Sequence, residues 1–546
     1  MVPAGSLQGR TRPLGARASP PSAGLVADDQ LRRDDSHWTT YPAPPTGPRI
    51  EHAPRRGLHQ ELTTAAPACR AATCQGADVT SHVEAATLAE RVSELATELQ
   101  VPGVSVGVLA GGTEQYAYHG VTSTTNPLEV DENTLFQFGS TGKTFTATAI
   151  MLLMERGEID LEAPVRRYLP EFMLQDEDVV QNVTVLQLLN HTAGWEGDLS
   201  DNTGDGDDAL ERYVALMKNI RQVTPLGATV SYNNASLSVA GRIIEKITGT
   251  AYEAAIRDLV LAPLAMNDTL FFMTEIMTRR FAVGHTQEDD GTIKPSRVWA
   301  IPRANAPAGG MSATARDQLR WARFHLGDGT TPDRTRLLSA ESLKRMQQPT
   351  VSMPGSAIGD HVGISWLLRD VGGARLVTHG GTTHGQHSEF VMSPEHNFTL
   401  ISMTNCGPNG PKFNDQLLTW ALEQYLGVTE EEPVPVQLDD DALARYVGTY
   451  ETIVVICQIT AQEGQLVVKL KVKPEMAETI RDAGGDPEEP QPDMLLGLLA
   501  HDGDRFVITD GPAKGMKGYF ARDAAGTVSG VHLGGRLATR VAALVA

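Results

Sequence analysis

Apolar residues alternate over 104–109, and strand patterns return at 388–392 and 398–403, far apart in the chain, with a long and mostly helical stretch between them. A period of two marks strands that bury one face. Strands at both ends of such a stretch must pair with each other, so the pattern predicts one antiparallel sheet with the helical insertion packed beside it, an α+β arrangement. Residues 114–119 read as the hairpin partner of 104–109, and 394–397 as the turn between the late strands. Helical spacing covers 83–99, with Ala86, Leu88, Val92, Leu95 and Leu99 apolar. Residues 145–154 are apolar almost all round, which predicts a buried helix rather than a surface one. A helix over 237–247 is closed by Gly249, and an amphipathic helix over 413–426 ends this first domain, 83–428.

The flanks differ in composition. Residues 1–80 are rich in Pro, Gly, Ala, Arg and Ser and lack either periodicity. They cannot bury enough apolar surface to offset their ordering entropy, so we read them as a disordered leader or as sequence upstream of the true start. Glu430-Glu431-Glu432-Pro433-Val434-Pro435 marks a stiff, charged linker within 429–438. Beyond it, 454–459, 465–472, 505–508 and 517–521 read as strands of a second, all-β domain over 439–546, with a long loop around Asp486-Pro487-Glu488-Glu489-Pro490.

Bulk properties exclude several functions. A formal net charge of −21 over 546 residues is repelled by phosphate backbones, which argues against nucleic acid as a partner. No window approaches the roughly 18 apolar residues of a membrane span, and the start lacks the basic-then-apolar pattern of a signal peptide. The expected compartment is therefore the cytoplasm, with export left open if the start is mis-assigned. Four cysteines in such a chain make no disulfide framework. Cys69 and Cys74 fall in the leader, and Cys406 and Cys457 read as small buried hydrophobes.

Chemistry concentrates in three short segments. In Phe138-Gly139-Ser140-Thr141-Gly142-Lys143, a spacing of three puts Ser140 and Lys143 one helical turn apart on one face. A serine hydroxyl needs a base to become a nucleophile, and a lysine serves if burial and cationic neighbours lower its pKa. Alone, the pair reads as a capping serine and a surface lysine; here the lysine opens an almost wholly apolar helix. In Ser231-Tyr232-Asn233-Asn234, Tyr232 can shuttle a proton if nearby cations lower its phenol pKa, and Asn234 offers both a donor and an acceptor to an amide. The bland reading is a packed tyrosine and a capping asparagine. In Thr378-His379-Gly380-Gly381-Thr382, paired glycines let a substrate backbone approach, and a strand edge can present N–H groups to an oxyanion. His379, His384 and His387 also suggest zinc, but they share no helical register and no Cys or acidic ligand lies among them, so no metal is assigned. Residues 201–208, acidic with two glycines, read as a solvated rim loop.

Ser-x-x-Lys, Tyr-x-Asn and His-x-Gly in this order resemble the serine β-lactamase and penicillin-binding protein superfamily, most of all its class C β-lactamase-like branch of DD-peptidases, D-aminopeptidases and esterases. Leu188-Leu189-Asn190-His191-Thr192-Ala193-Gly194-Trp195, residues 309–317 and Gly363-Ile364-Ser365-Trp366 agree with its structural segments. Leu443-Ala444-Arg445-Tyr446-Val447-Gly448-Thr449-Tyr450 resembles the opening of the lipocalin-like barrel attached to several of its peptidases. The resemblance implies an acyl-enzyme on Ser140, with Lys143 and Tyr232 sharing its proton as a coupled pair. It implies an oxyanion held by the N–H groups of Ser140 and Thr382, substrate contacts from Asn234, His379 and Gly381, and no cofactor. Most β-lactamases and DD-peptidases carry lysine where this chain has His379, which argues against true β-lactamase activity. The expected function is a peptidase or amidohydrolase acting on a small-molecule or short-peptide substrate, including D-residue peptides. A carboxylesterase and a non-catalytic ligand-binding protein are the alternatives, and the assembly state, including a homo-oligomer, is left open.

Overall fold

The computed structural model describes residues 87–541 apart from 200, 289, 300, 478–480, 482–487, 489–490, 500–502 and 512. The leader, its two cysteines and most of the acidic, Pro-rich loop near 486–490 lie outside the described residues.

The predicted sheet is present and antiparallel. Gly103–Ala110 runs between Thr113–Gly120 and Phe398–Thr404, followed outward by His387–Ser393, Ala374–Thr378, Leu367–Val371, Gly359–Val362 and Val351–Ser356. The two ends of the domain meet in one ladder, from Val104 opposite Thr404 to Leu109 opposite Thr399. Val104, Val106 and Val108 share one face of the pleat and pack with Leu400 against Val92 and Leu95 of the helix Leu88–Glu98 and Phe413, Leu417 and Ala421 of the helix Asn409–Leu426. The first helix begins at Leu88 because Thr87 and Glu90 form a capping box there. The last begins at Asn409, a turn ahead of its amphipathic pattern, and ends at Gly427 in the left-handed region. No helix among the described residues is long and apolar enough to cross a membrane.

The helical insertion covers the opposite face of the sheet. Its centre is Gly142–Glu155, buried at every position from Gly142 to Leu153. The helix extends ahead of the apolar run at 145–154 because its polar residues are satisfied internally: Thr144 and Thr148 donate their hydroxyls to the carbonyls of Thr141 and Thr144, at 2.7 and 2.8 Å. Phe145 stacks on Trp321 at 3.9 Å. Asn234–Thr248 packs beside it and ends at Gly249, whose φ of 71° explains the glycine.

The C-terminal strands close into an antiparallel barrel: Gly448–Glu451, Val455–Gln462, Gln465–Val472, Met494–Leu498, Arg505–Asp510, Lys517–Arg522, Val528–Leu533 and Arg536–Arg540. Tyr450, Cys457, Ile459, Leu496, Phe506 and Phe520 pack in its core cluster, as side chains do in small barrels. The acidic segment before the barrel is pinned rather than free. Glu430 pairs with Arg369 of the sheet and with Lys517 of the barrel, and Val436 donates its N–H to the Leu498 carbonyl at 2.8 Å.

Candidate active site

Ser140 sits in a single 3-10 turn, Gly139–Thr141, that runs directly into the buried helix. Late strands fasten this turn from outside. Thr141 Oγ1 donates to the His379 carbonyl at 2.8 Å, Ser388 Oγ donates to the Phe138 carbonyl at 2.8 Å, and the Gln137 N–H is given to Gln386 Oε1 at 2.9 Å. Lys143 is fully buried, with Nζ 3.0 Å from Ser140 Oγ and 2.7 Å from the Ala308 carbonyl. Burial holds its pKa well below the usual lysine value, and the charge of Arg536 lowers it further, against a smaller opposing pull from Asp198. A neutral amine at that distance can accept the serine proton.

Tyr232 lies beside this pair, its ring centroid 4.8 Å from Lys143 Nζ and 4.5 Å from the His191 ring. The sequence argument required cations to lower the phenol pKa. A fixed cation is present, since Arg536 lies 5.0 Å from the ring centroid, but the balance goes the other way. Burial raises the pKa above its ordinary value and outweighs the hydrogen bond with Ser140 and the charge of Arg536. Tyr232 is therefore a phenol, not a phenolate. The two asparagines divide their roles. Asn233 caps the helix, accepting the Ser236 N–H at 2.8 Å, and donates Nδ2 to the Trp195 carbonyl at 2.9 Å. Asn234 lines the cleft and gives Nδ2 to Asp198 Oδ1 at 2.9 Å. The N–H of Asn233 is given to His191 Nδ1 at 3.2 Å, which ties the Asn190-His191-Thr192 segment to the tyrosine turn.

The third segment forms the facing wall. His379 gives its N–H to the Phe390 carbonyl at 2.9 Å, and Gly381–Thr382 pairs with Ser388 and His387. Along an antiparallel edge, successive N–H groups alternate in direction, so the Thr382 N–H points away from His387–Ser393 and toward Gly139 and Ser140. The approach is close. A Cβ on Gly381 would lie 2.0 Å from the Phe138 carbonyl oxygen and 2.7 Å from the Ser140 nitrogen, so only glycine fits. His379 is buried with its ring centroid 6.2 Å from that of Tyr232. Burial, aided by the Lys143 charge, lowers its pKa to about 3, so it carries no charge near neutral pH. His387 meets Thr382 Oγ1 through Nδ1 at 3.2 Å. Among the described residues no three His, Cys, Asp or Glu side chains are arranged to hold a metal ion.

Two residues at this site have no counterpart in the sequence argument. The turn Gly534-Gly535 between the last two barrel strands reaches the first domain, where the Gly535 carbonyl accepts the Tyr232 N–H at 2.9 Å and Ser231 Oγ accepts the Leu537 N–H at 3.2 Å. Arg536, carried in on that turn, makes a two-pronged pair with Asp198, at 2.6 and 3.0 Å. Burial works to raise the Asp198 carboxyl, but Arg536 and Asn234 pull it below its usual range. No local period or motif links Asp198 to Arg536, and the glycine pair is the single local sign that a turn lies there. Ser140, Tyr232, Asn234, His379, Gly381, Thr382 and Arg536 all line one cleft of about 500 Å³. The acidic rim at 201–208 is held elsewhere: Arg303 pairs with Asp207 and Arg212 with Asp208.

The family model for Beta-lactamase matches residues 88–424. Penicillin-binding protein 4 of Amycolatopsis lactamdurans is 34% identical over 367 residues, covering 66% of this chain and 96% of that protein. Among solved structures, SurE superposes with a TM-score of 0.67 at 25% identity, covering 83% of this chain and 98% of its own. The D-amino acid amidase from Ochrobactrum anthropi SV3, solved with L-phenylalanine amide, gives a TM-score of 0.52 at 25% identity, covering 61% of this chain and 98% of the amidase.

Proposed function

The chain belongs to the beta-lactamase family, and on that premise we propose that it is a serine hydrolase that opens amide bonds of small substrates, including D-residue peptides, through an acyl-enzyme on Ser140. The observation that carries this reading is the 3.0 Å contact between Ser140 Oγ and a lysine amine whose pKa burial holds well below its usual value. Lys143 takes the hydroxyl proton as Oγ attacks the substrate carbonyl. The N–H groups of Ser140 and Thr382 receive the oxyanion. Tyr232, still a phenol, passes its proton to the leaving nitrogen and is reprotonated from Lys143. Water then adds to the acyl carbonyl and releases the acid. Asn234, held by Asp198, aligns the substrate amide.

The preference for amides other than β-lactams rests on the third segment. His379 is neutral where most β-lactamases and DD-peptidases carry a lysine, and the cation beside Tyr232 is instead Arg536, delivered by the barrel. The likeness to a D-amino acid amidase supports small amides as the substrate class.

The test is intact-protein mass spectrometry after treatment with a fluorophosphonate, alongside turnover of D-aminoacyl amides, short-chain esters and β-lactams. The expected result is an adduct on Ser140 that Ser140→Ala abolishes, with amides hydrolysed fastest and the variant slower by at least about 10³-fold. Esters as the fastest substrates would make it a carboxylesterase. A folded parent with neither adduct nor turnover would leave a ligand-binding protein.

A further inference from the structure

The cleft does not end at the nucleophile. It continues past Gly380 to Arg369, Glu389, Asn414 and Asp415, with Leu367 and Leu418 on its walls. Gly380 lies against this passage, where a Cβ would come 3.1 Å from Glu389 Oε2. The charges at this end do not balance. Arg369 and Lys517 both direct their cations at Glu430. Among the described residues, the carboxyls of Glu389 and Asp415 have neither a hydrogen bond nor an ion pair, so three carboxylates face two cations. Burial raises both carboxyls. That of Glu389 goes to about 7, lowered by Arg369 less than burial and the neighbouring Asp415 raise it. Glu389 is part-buried and Asp415 stands at the exposed mouth; an unpaired carboxyl in partly dry surroundings is costly, and one further cation would offset that cost.

We propose that Glu389 and Asp415 form a cation subsite of the active-site cleft that takes an alkylammonium side chain, of the lysine or ornithine kind, on the substrate residue next to the bond being opened. The spacing suits this occupant. Thr382 and Gly380 are two residues apart on an extended edge, roughly 7 Å, and a side-chain ammonium on the residue beside a carbonyl reaches that far. Leu367 and Leu418 supply apolar walls for its methylene stem. This inference rests on the reading of the cleft as a hydrolase site and names part of its substrate.

The experiment uses the full chain and matched peptidyl amides that differ at one residue flanking the scissile bond: lysine, norleucine or glutamate. The expected kcat/KM for the lysine compound is about 10-fold above that for norleucine, with glutamate lowest, and the lysine-to-norleucine ratio falls to about one in Glu389→Gln/Asp415→Asn. Asp415→Asn alone, which halves the ratio or more, serves if the double variant fails to fold. A parent without the preference, or a preference that survives both substitutions, overturns the proposal. Calorimetry on Ser140→Ala keeps the subsite separate from catalysis. Tighter binding of the lysine compound supports it even if the parent turns nothing over, whereas equal affinity, or no binding of either compound, overturns it.

Discussion

A lysine amine enclosed by protein holds its proton less firmly than one in water, and the chemistry proposed for Lys143 needs the neutral form. Its folded pKa is lowered, so turnover falls as pH drops through that lowered value and levels off above it. His379 stays neutral down to about pH 3. A pH profile of kcat/KM should therefore show the same acid limb in the parent and in His379→Asn, and a limb that moves with His379 would contradict Lys143 as the base. At the alkaline end, the raised Tyr232 pKa predicts no loss from phenol ionisation up to about pH 10. A second test concerns geometry. Gly381→Ala must push the strand edge from the nucleophile turn, because its methyl would meet the Phe138 carbonyl. We expect kcat to fall about 10²–10³-fold, the scale of a lost oxyanion donor, with a near-native far-ultraviolet spectrum. The Ser140–Lys143 pair was legible because its partners are three residues apart on one helix. The direction of the Tyr232 shift was not, because it depends on how completely distant residues bury the ring.

Elements with local signals were legible in the same way. The helix ending at Gly249 follows from its period and closing glycine, and the strand pair His387–Ser393 and Phe398–Thr404 from two apolar-rich segments flanking a turn. Four barrel strands escaped: Gly448–Glu451, Met494–Leu498, Val528–Leu533 and Arg536–Arg540. The first three carry a glycine inside the strand, as in Met494-Leu495-Leu496-Gly497-Leu498, the last is a short Arg-Leu-Ala-Thr-Arg segment without alternation, and closure of the barrel rather than local pattern makes them strands. At the tyrosine turn, Asn233 holds the helix start and the preceding loop together. Asn233→Ala should lower unfolding free energy by about 1–2 kcal/mol, read in urea titration, and should reduce turnover as Tyr232 and Asn234 lose their fixed approach.

At the scale of the whole molecule, the two β-rich parts share one site. Arg536→Ala removes the partner of Asp198, leaving a carboxylate beside Asn234 without its counter-ion. The expected loss in kcat/KM is about 10–100-fold, with a thermal midpoint within a few degrees of the parent, since the barrel core lies elsewhere. A barrel that served only as a separate module would leave kcat/KM unchanged. That contact joins residues 338 positions apart in the chain, so no local window of sequence contains it.

The turn at Gly534-Gly535 also sets an order in time. A ribosome makes Ser140, Lys143 and Tyr232 first, and domains tend to fold as they emerge. Throughout the synthesis of the barrel strands that follow, the cleft lacks the Arg536 guanidinium and Asp198 stays unanswered. A nascent chain thus carries an unfinished cleft, and docking of the last barrel hairpin is the event that completes it.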